Sequence, residues 1–95
     1  MSATRVTTVT LLTQPDCAMC EQAKQVLARV GADHRLHVDE VSLASDAGRA
    51  LATSAGVPFA PGILLDGTPF GFGRLSERKL RKTLTRQTDQ PHKGD

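Results

Sequence analysis

Val6, Val9, Leu11 and Leu12 lie among four threonines in residues 6–13, a β-branched and apolar stretch that predicts a buried strand. Pro15 breaks the run, and Asp16 is placed to cap a helix that starts at or beside Cys17. Along that helix Ala23, Val26, Leu27 and Val30 recur at i, i+3, i+4 and i+7, with Glu21, Gln22, Lys24, Gln25 and Arg29 on the opposite side. Gly31 suits the position just past its end. Residues 35–41 alternate through Leu36 and Val38 and predict a second strand. Ser45 then caps a helix that turns Ala47, Ala50, Leu51 and Ala55 inward and closes at Gly56. Residues 62–65 form a brief apolar strand, and Asp66-Gly67 signals a tight two-residue hairpin turn. Its antiparallel partner, residues 68–72, belongs at the sheet edge because Pro69 has no N–H to give to a ladder. Ser76 N-caps a last helix with Leu80, Thr83 and Leu84 on one stripe.

The order is thus β-α-β-α-β-β-α, without an internal repeat or linker. It predicts an α/β fold of three helices on a four-stranded mixed sheet, with a parallel central pair joined by a right-handed crossover and a late hairpin adding antiparallel strands. Ninety-five residues suffice for one domain with its own core, which we place at residues 1–86, followed by a polar tail at 87–95 that contains Pro91 and Gly94. With 39% hydrophobic and 23% charged residues and a formal net charge of +2, the composition excludes disordered, collagen-like and coiled-coil classes. No apolar run reaches bilayer length, and the opening MSATRVTTVTLLTQ lacks the basic, apolar and small-residue regions of a secretory signal. These features predict a cytoplasmic monomer without a membrane partner. Six of the twelve Lys and Arg residues (Arg74, Arg78, Lys79, Arg81, Lys82, Arg86) fall within thirteen positions, offset only by Glu77. Such a run is either a basic face for an acidic partner or a solvated helix.

Candidate chemistry concentrates in TQPDCAMCEQAK, residues 13–24, which holds the only two cysteines. In a reducing compartment a purely structural disulfide is disfavoured, so Cys17 and Cys20 point to redox catalysis or metal binding. Only a thiolate attacks a disulfide, and an ordinary thiol is mostly protonated at neutral pH. A helix start favours an anion through its unpaired N–H groups and dipole, so the thiol of Cys17 is expected below its ordinary range. Cys20, one turn on and less exposed, would stay a thiol until needed. Spacing of three sets both sulfurs on one face of the turn, within reach of each other.

The run Cys17-Ala18-Met19-Cys20-Glu21-Gln22-Ala23-Lys24 with Leu27 resembles the glutaredoxin pattern Cys-x-x-Cys-x-x-Ala-Lys-x-x-Leu. Downstream, Ala60-Pro61-Gly62-Ile63-Leu64-Leu65-Asp66-Gly67 resembles that family's proline before a strand ending in a turn. The resemblance spans roughly residues 6–84 and implies a thioredoxin-like fold. It further implies thiol–disulfide exchange through Cys17 and Cys20, and a cis proline at Pro61, rather than Pro58, facing the site. Ala60 and Pro61 are then candidates for pairing with substrate. Apart from the resemblance, Gly71 and Gly73 either let a substrate backbone approach or only shape a turn, and Arg74 either meets a carboxylate or is solvated. No bound cofactor is implied. A disulfide-bearing protein or thiol is the expected substrate, and a low-molecular-weight thiol, glutathione or an equivalent, the expected reductant. The chain departs from the pattern in having Ala18-Met19 where proline and an aromatic are usual and Gln14 where a lysine is frequent. Phe70-Gly71-Phe72-Gly73-Arg74-Leu75-Ser76 likewise replaces the paired glycines and acidic residue that receive glutathione. The disulfide chemistry carries over; glutathione as its thiol does not follow.

Four rival readings remain at this level. Cys17-x2-Cys20-x13-His34-x2-His37 approaches the spacing of a two-cysteine, two-histidine zinc site, although the histidines are one residue too close and Cys20 leads into a helix instead of following a hairpin. A cluster shared between two chains is a second metal option. The third is a non-catalytic interaction domain. Nucleic-acid binding would rest on the basic run alone, with no Trp or Tyr and three Phe residues as stacking surfaces.

Overall fold

The computed structural model describes residues 6–89 and contains β1 (Thr7–Thr13), α1 (Ala18–Gly31), β2 (Leu36–Ser42), α2 (Asp46–Ala55), β3 (Gly62–Leu65), β4 (Thr68–Phe72) and α3 (Glu77–Asp89). Every element expected from the hydrophobic pattern is present in the expected order. The strands form one mixed sheet in the order β2-β1-β3-β4. β1 runs parallel to β2 and antiparallel to β3, which in turn runs antiparallel to β4. The central pair is therefore antiparallel β1/β3, and the parallel pair expected at the centre lies on one side, with β2 as an edge. That position explains why the alternation expected in β2 fails at Val38, which is exposed: it stands opposite Val9 on the face of α1 and α3, but on an edge strand that those helices leave largely uncovered.

Helices cover both faces of the sheet. On one side α1 and α3 bury Ala23, Val26, Leu27, Val30, Leu80 and Leu84 against Val9 and Leu11 of β1 and Ile63 and Leu65 of β3. On the other, Ala52, Leu51 and Ala55 of α2 meet Leu12, Leu64 and Val41. Alternation within β1 and β3 thus feeds two cores from the same strands. The inward stripe of α2 is Gly48, Leu51, Ala52 and Ala55; Ala47 and Ala50, expected inside, are exposed. Gly48 sets this rotation, because it brings the helix so close to the end of β2 that a Cβ there would lie 1.9 Å from the Ser42 carbonyl oxygen.

The turn Asp66-Gly67 has positive φ at both residues (49° and 82°), as a tight hairpin with right-handed strand twist requires. Between Ile63↔Gly71 and Leu64↔Pro69 the register shifts by one residue, and Phe70, left over by the bulge, packs on the α1/α3 core. Ser45 and Ser76 cap α2 and α3 as expected, accepting from the N–H of Gly48 (2.9 Å) and Lys79 (3.2 Å). Gly31 is the last residue of α1 and Ala32 its C-cap, one position later than expected. α3 extends to Asp89, through the expected start of the polar tail, and the rest of that tail lies outside the described residues.

At α3 the basic run divides. Arg81 bonds Asp33 at 2.7 Å and Glu77 at 3.0 Å, and Glu77 also accepts from Arg29 at 2.9 Å. The Arg29 and Arg81 hydrogen bonds hold the Glu77 carboxyl below the usual carboxylate range, and Asp33, followed by Glu77, raises the Arg81 guanidinium further. This network ties α3 to α1. Arg74, Arg78, Lys79, Lys82 and Arg86 have no carboxylate partner among the described residues.

Candidate active site

Gln14, Pro15 and Asp16 carry the chain from the end of β1 to α1, and Asp16 takes a left-handed conformation (φ 52°) that its short polar side chain tolerates. Asp16 is therefore not the cap. Cys17 itself occupies the N-cap position in extended conformation, and its Sγ accepts the Cys20 backbone N–H at 3.1 Å. The place usually taken by a Ser, Thr or Asp oxygen is held by sulfur. Cys20 follows at the third helical position, 2% exposed, with a Cα–Cα separation of 5.2 Å from Cys17. The two sulfurs are disulfide-bonded. Burial follows from helix geometry: Cys20 belongs to the inward stripe with Ala23 and Leu27, whereas Cys17 precedes the first turn and is half-buried.

The peptide bond between Ala60 and Pro61 is cis, as the resemblance implied, and Pro58 is trans. Topology carries this bond to the cysteine end of the sheet, since Gly62 at the start of β3 pairs with Leu12 near the end of β1. Gly62 also pairs with Phe72 on its other side, and the Gly73 N–H donates to the Pro61 carbonyl oxygen at 2.8 Å. Gly73 has φ 78°, which favours glycine, and the Phe59 ring lies 3.4 Å from where a Cβ would project. Ala60 and Pro61 have buried side chains, and Ala60 stands outside the strand ladder. Arg74 is exposed.

Gln22, assigned to the outward face from sequence, is half-buried and belongs to the site's framework. Its side-chain amide donates to the Leu75 carbonyl (2.9 Å) and accepts from the Leu75 N–H (3.0 Å), completing both backbone hydrogen bonds of that residue in the loop after β4. Helix α1 and the loop carrying Gly73 and Arg74 are thereby joined two residues beyond Cys20. The available signal was an amide flanking the apolar stripe, four residues before Val26. We expect Gln22→Ala to lower stability by about 1–3 kcal/mol, because both Leu75 groups lose a partner in a part-buried setting. Gln22→Glu keeps the acceptor alone and should fall between the two; denaturant midpoints measure the series.

An open depression over Cys17 is lined by Gln14, Pro15, Asp16, Ala18, Glu21 and Lys24. Glu21 and Glu40 both pair with Lys24 (3.2 and 3.5 Å), and the Glu21 hydrogen bond is the main cause raising the ammonium's pKa. The histidines lie elsewhere. His34 follows the C-terminal end of α1, a 14-residue helix or about 21 Å from Cys17, and His37 pairs with Asp39 on β2. The Cys-x-x-Cys and His-x-x-His pairs are therefore too far apart to share one ion. Among the described residues no group of three or more His, Cys, Asp or Glu is arranged to hold a metal.

A Cys-x-x-Cys pair at a helix start, a cis proline at the same end of the sheet and this strand order define a thioredoxin-like protein. Solved structures agree on the fold. A single-residue mutant of thioredoxin from Halobacterium salinarum NRC-1 superimposes with a TM-score of 0.69 at 20% identity, over 90% of this chain and 78% of that one. A malarial protein gives 0.63 at 19% identity, over 90% and 99%. Glutaredoxin 1 from Francisella tularensis, complexed with cacodylate, gives 0.54 at 22% identity, over 88% and 99%. Residues 8–85 match the Glutaredoxin-like domain (DUF836), and the chain belongs to that family. No curated protein matches it. Among the described residues no helix is long and apolar enough to cross a membrane.

Proposed function

We propose that this protein is a dithiol thiol–disulfide oxidoreductase that reduces protein or low-molecular-weight-thiol mixed disulfides. The observation that carries the reading is the N-cap position of Cys17, where sulfur accepts the Cys20 N–H at the positive end of a 14-residue helix. In the reduced protein the same N–H groups stabilise a Cys17 thiolate. That thiolate attacks a substrate disulfide, forming a Cys17–substrate bond and releasing one substrate thiolate. Cys20 then loses its proton and attacks Cys17 Sγ, which forms the internal disulfide and releases the second thiolate. Two electrons pass from the cysteine pair to the substrate, and each departing thiolate takes up a proton. A thiol reductant, glutathione or an equivalent, reverses the internal bond from outside.

The surrounding residues take supporting roles in this proposal. Ala60, beside the cis Pro61 and outside the ladder, offers backbone to an incoming chain, and Gly73 engages the Pro61 carbonyl. Arg74 supplies an exposed cation for a substrate carboxylate. A reducing cytoplasm suits the chemistry. With the purified protein reduced, iodoacetamide at mildly acidic pH should modify Cys17 well before Cys20, and oxidation should remove two hydrogens from the mass. Equal, slow modification of both thiols would defeat the assignment.

A further inference from the structure

Large apolar side chains are exposed at only five places among the described residues, and three of them belong to segments that build the site. Met19 (40% exposed) stands between the cysteines, Phe59 (47%) precedes Ala60-Pro61, and Phe72 (48%) ends β4 beside Gly73. Phe59 and Phe72 meet edge to face with ring centroids 5.2 Å apart, so they form one surface. Next to it a shallow cleft of about 140 Å³ lies between β4 and the start of α3, lined by Phe70, Phe72, Leu75 and Ser76 and by the cations Arg74 and Lys79. Neither cation has a carboxylate partner among the described residues. Leu75, in the wall of this cleft, is the residue that Gln22 clamps to the redox helix. The flank toward β2 is different: there the depression over Cys17 carries Asp16 and a lysine already engaged by Glu21 and Glu40.

We propose that Phe72 with Arg74 and Lys79 forms a docking surface for an acidic polypeptide that presents its disulfide to Cys17. The inference rests on the oxidoreductase reading and adds the class of substrate. Exposed aromatic area beside the site fits a polypeptide, which can cover Phe59 and Phe72 while its disulfide stands at Cys17. Two open cations on one flank select carboxylates on that side and repel basic residues. Arg78, Lys82 and Arg86 extend the same sign along α3 and add attraction at long range.

The test uses synthetic peptides with one cysteine held in a mixed disulfide with 2-mercaptoethanol, flanked by two Glu, two Gln or two Lys. At low ionic strength kcat/KM should favour the Glu peptide over the Gln peptide by about tenfold, with the Lys peptide slowest. Salt well above physiological strength should compress the three toward one value. Arg74→Glu with Lys79→Glu should reverse the order. Arg86→Glu alters net charge as much as Lys79→Glu does singly, but seven residues or about 10 Å along the helix, close to one Debye length at 0.1 M salt. It should leave the Glu preference largely intact at that salt, whereas Lys79→Glu removes most of it. Equal turnover of Glu and Gln peptides, or equal loss from Arg86→Glu and Lys79→Glu, would overturn the docking surface while leaving the oxidoreductase in place. Failure to reduce any of the peptides would overturn both.

Discussion

Replacing Cys17 with serine is expected to reduce disulfide turnover at least about a thousandfold, since a hydroxyl cannot supply the thiolate and no other cysteine stands at the N-cap. Cys20→Ser has a different signature. Its Cys17 still attacks, but nothing resolves the product, so intact mass should show substrate joined to Cys17 and exchange should stall or depend on an external thiol. This asymmetry follows from position: Cys17 is half-buried at the cap and Cys20 is buried one turn further in. The trapped adduct also provides the route to the natural substrate. Retained turnover in Cys17→Ser, or an adduct on Cys20 in the wild type, would reverse the roles assigned to the two sulfurs.

Gly48→Ala should be the most damaging small substitution outside the site. The new Cβ would stand 1.9 Å from the Ser42 carbonyl oxygen, 2.7 Å from its carbon and 3.0 Å from Ser45 Oγ, all on rigid backbone or on the cap itself. Relief requires moving the first turn of α2 away from the end of β2, which breaks the Ser45 cap and loosens Ala52 from Leu12 and Leu64. Overpacking of this kind costs about 3 kcal/mol, equivalent to a fall of about 12–24 °C in Tm for a domain of this size. Gly31→Ala is the matched control. It adds a methyl in helical conformation with nothing within 4 Å, and should be neutral or stabilising by up to about 1 kcal/mol. A melting temperature for Gly48→Ala near that of Gly31→Ala would show that α2 does not sit this close.

Much of this molecule is local, and what is local was legible. The stripe Ala23-Val26-Leu27-Val30, the serine caps and Asp66-Gly67 state their own conformations, because helix period, capping oxygen and left-handed turn residues act within a few positions of the chain. The cysteine pair is local in the same sense, since the sulfurs of residues 17 and 20 meet through one helical turn whatever the rest of the fold does. Pro61 came from resemblance to a family, and base rates would have made it trans. The cap positions at Asp16 and Gly31 were off by one residue, and the larger differences are non-local. In α2, Ala47 and Ala50 differ little from Ala52 and Gly48 in hydrophobicity, so the inward face was decided by the contact of Gly48 with Ser42.

Strand order is non-local in the same way. β1 carries apolar side chains to both faces, which is compatible with a parallel or an antiparallel neighbour on either edge. Only the assembled sheet puts β3 beside β1 and sends β2 to the margin. Gln22 reads as a surface polar residue until the loop after β4 folds over α1 and presents the Leu75 backbone to its amide. Arg81 likewise differs from Arg74 and Lys79 only in what lies opposite: Asp33 and Glu77 neutralise the first and leave the other two open beside Phe72. Residue type and spacing are enough to specify a sulfur pair at a helix start, because its geometry is complete within one turn. Which side chains surround it, and which charges remain free to meet a substrate, depends on contacts across roughly fifty residues of chain, and those exist only once the layers have packed.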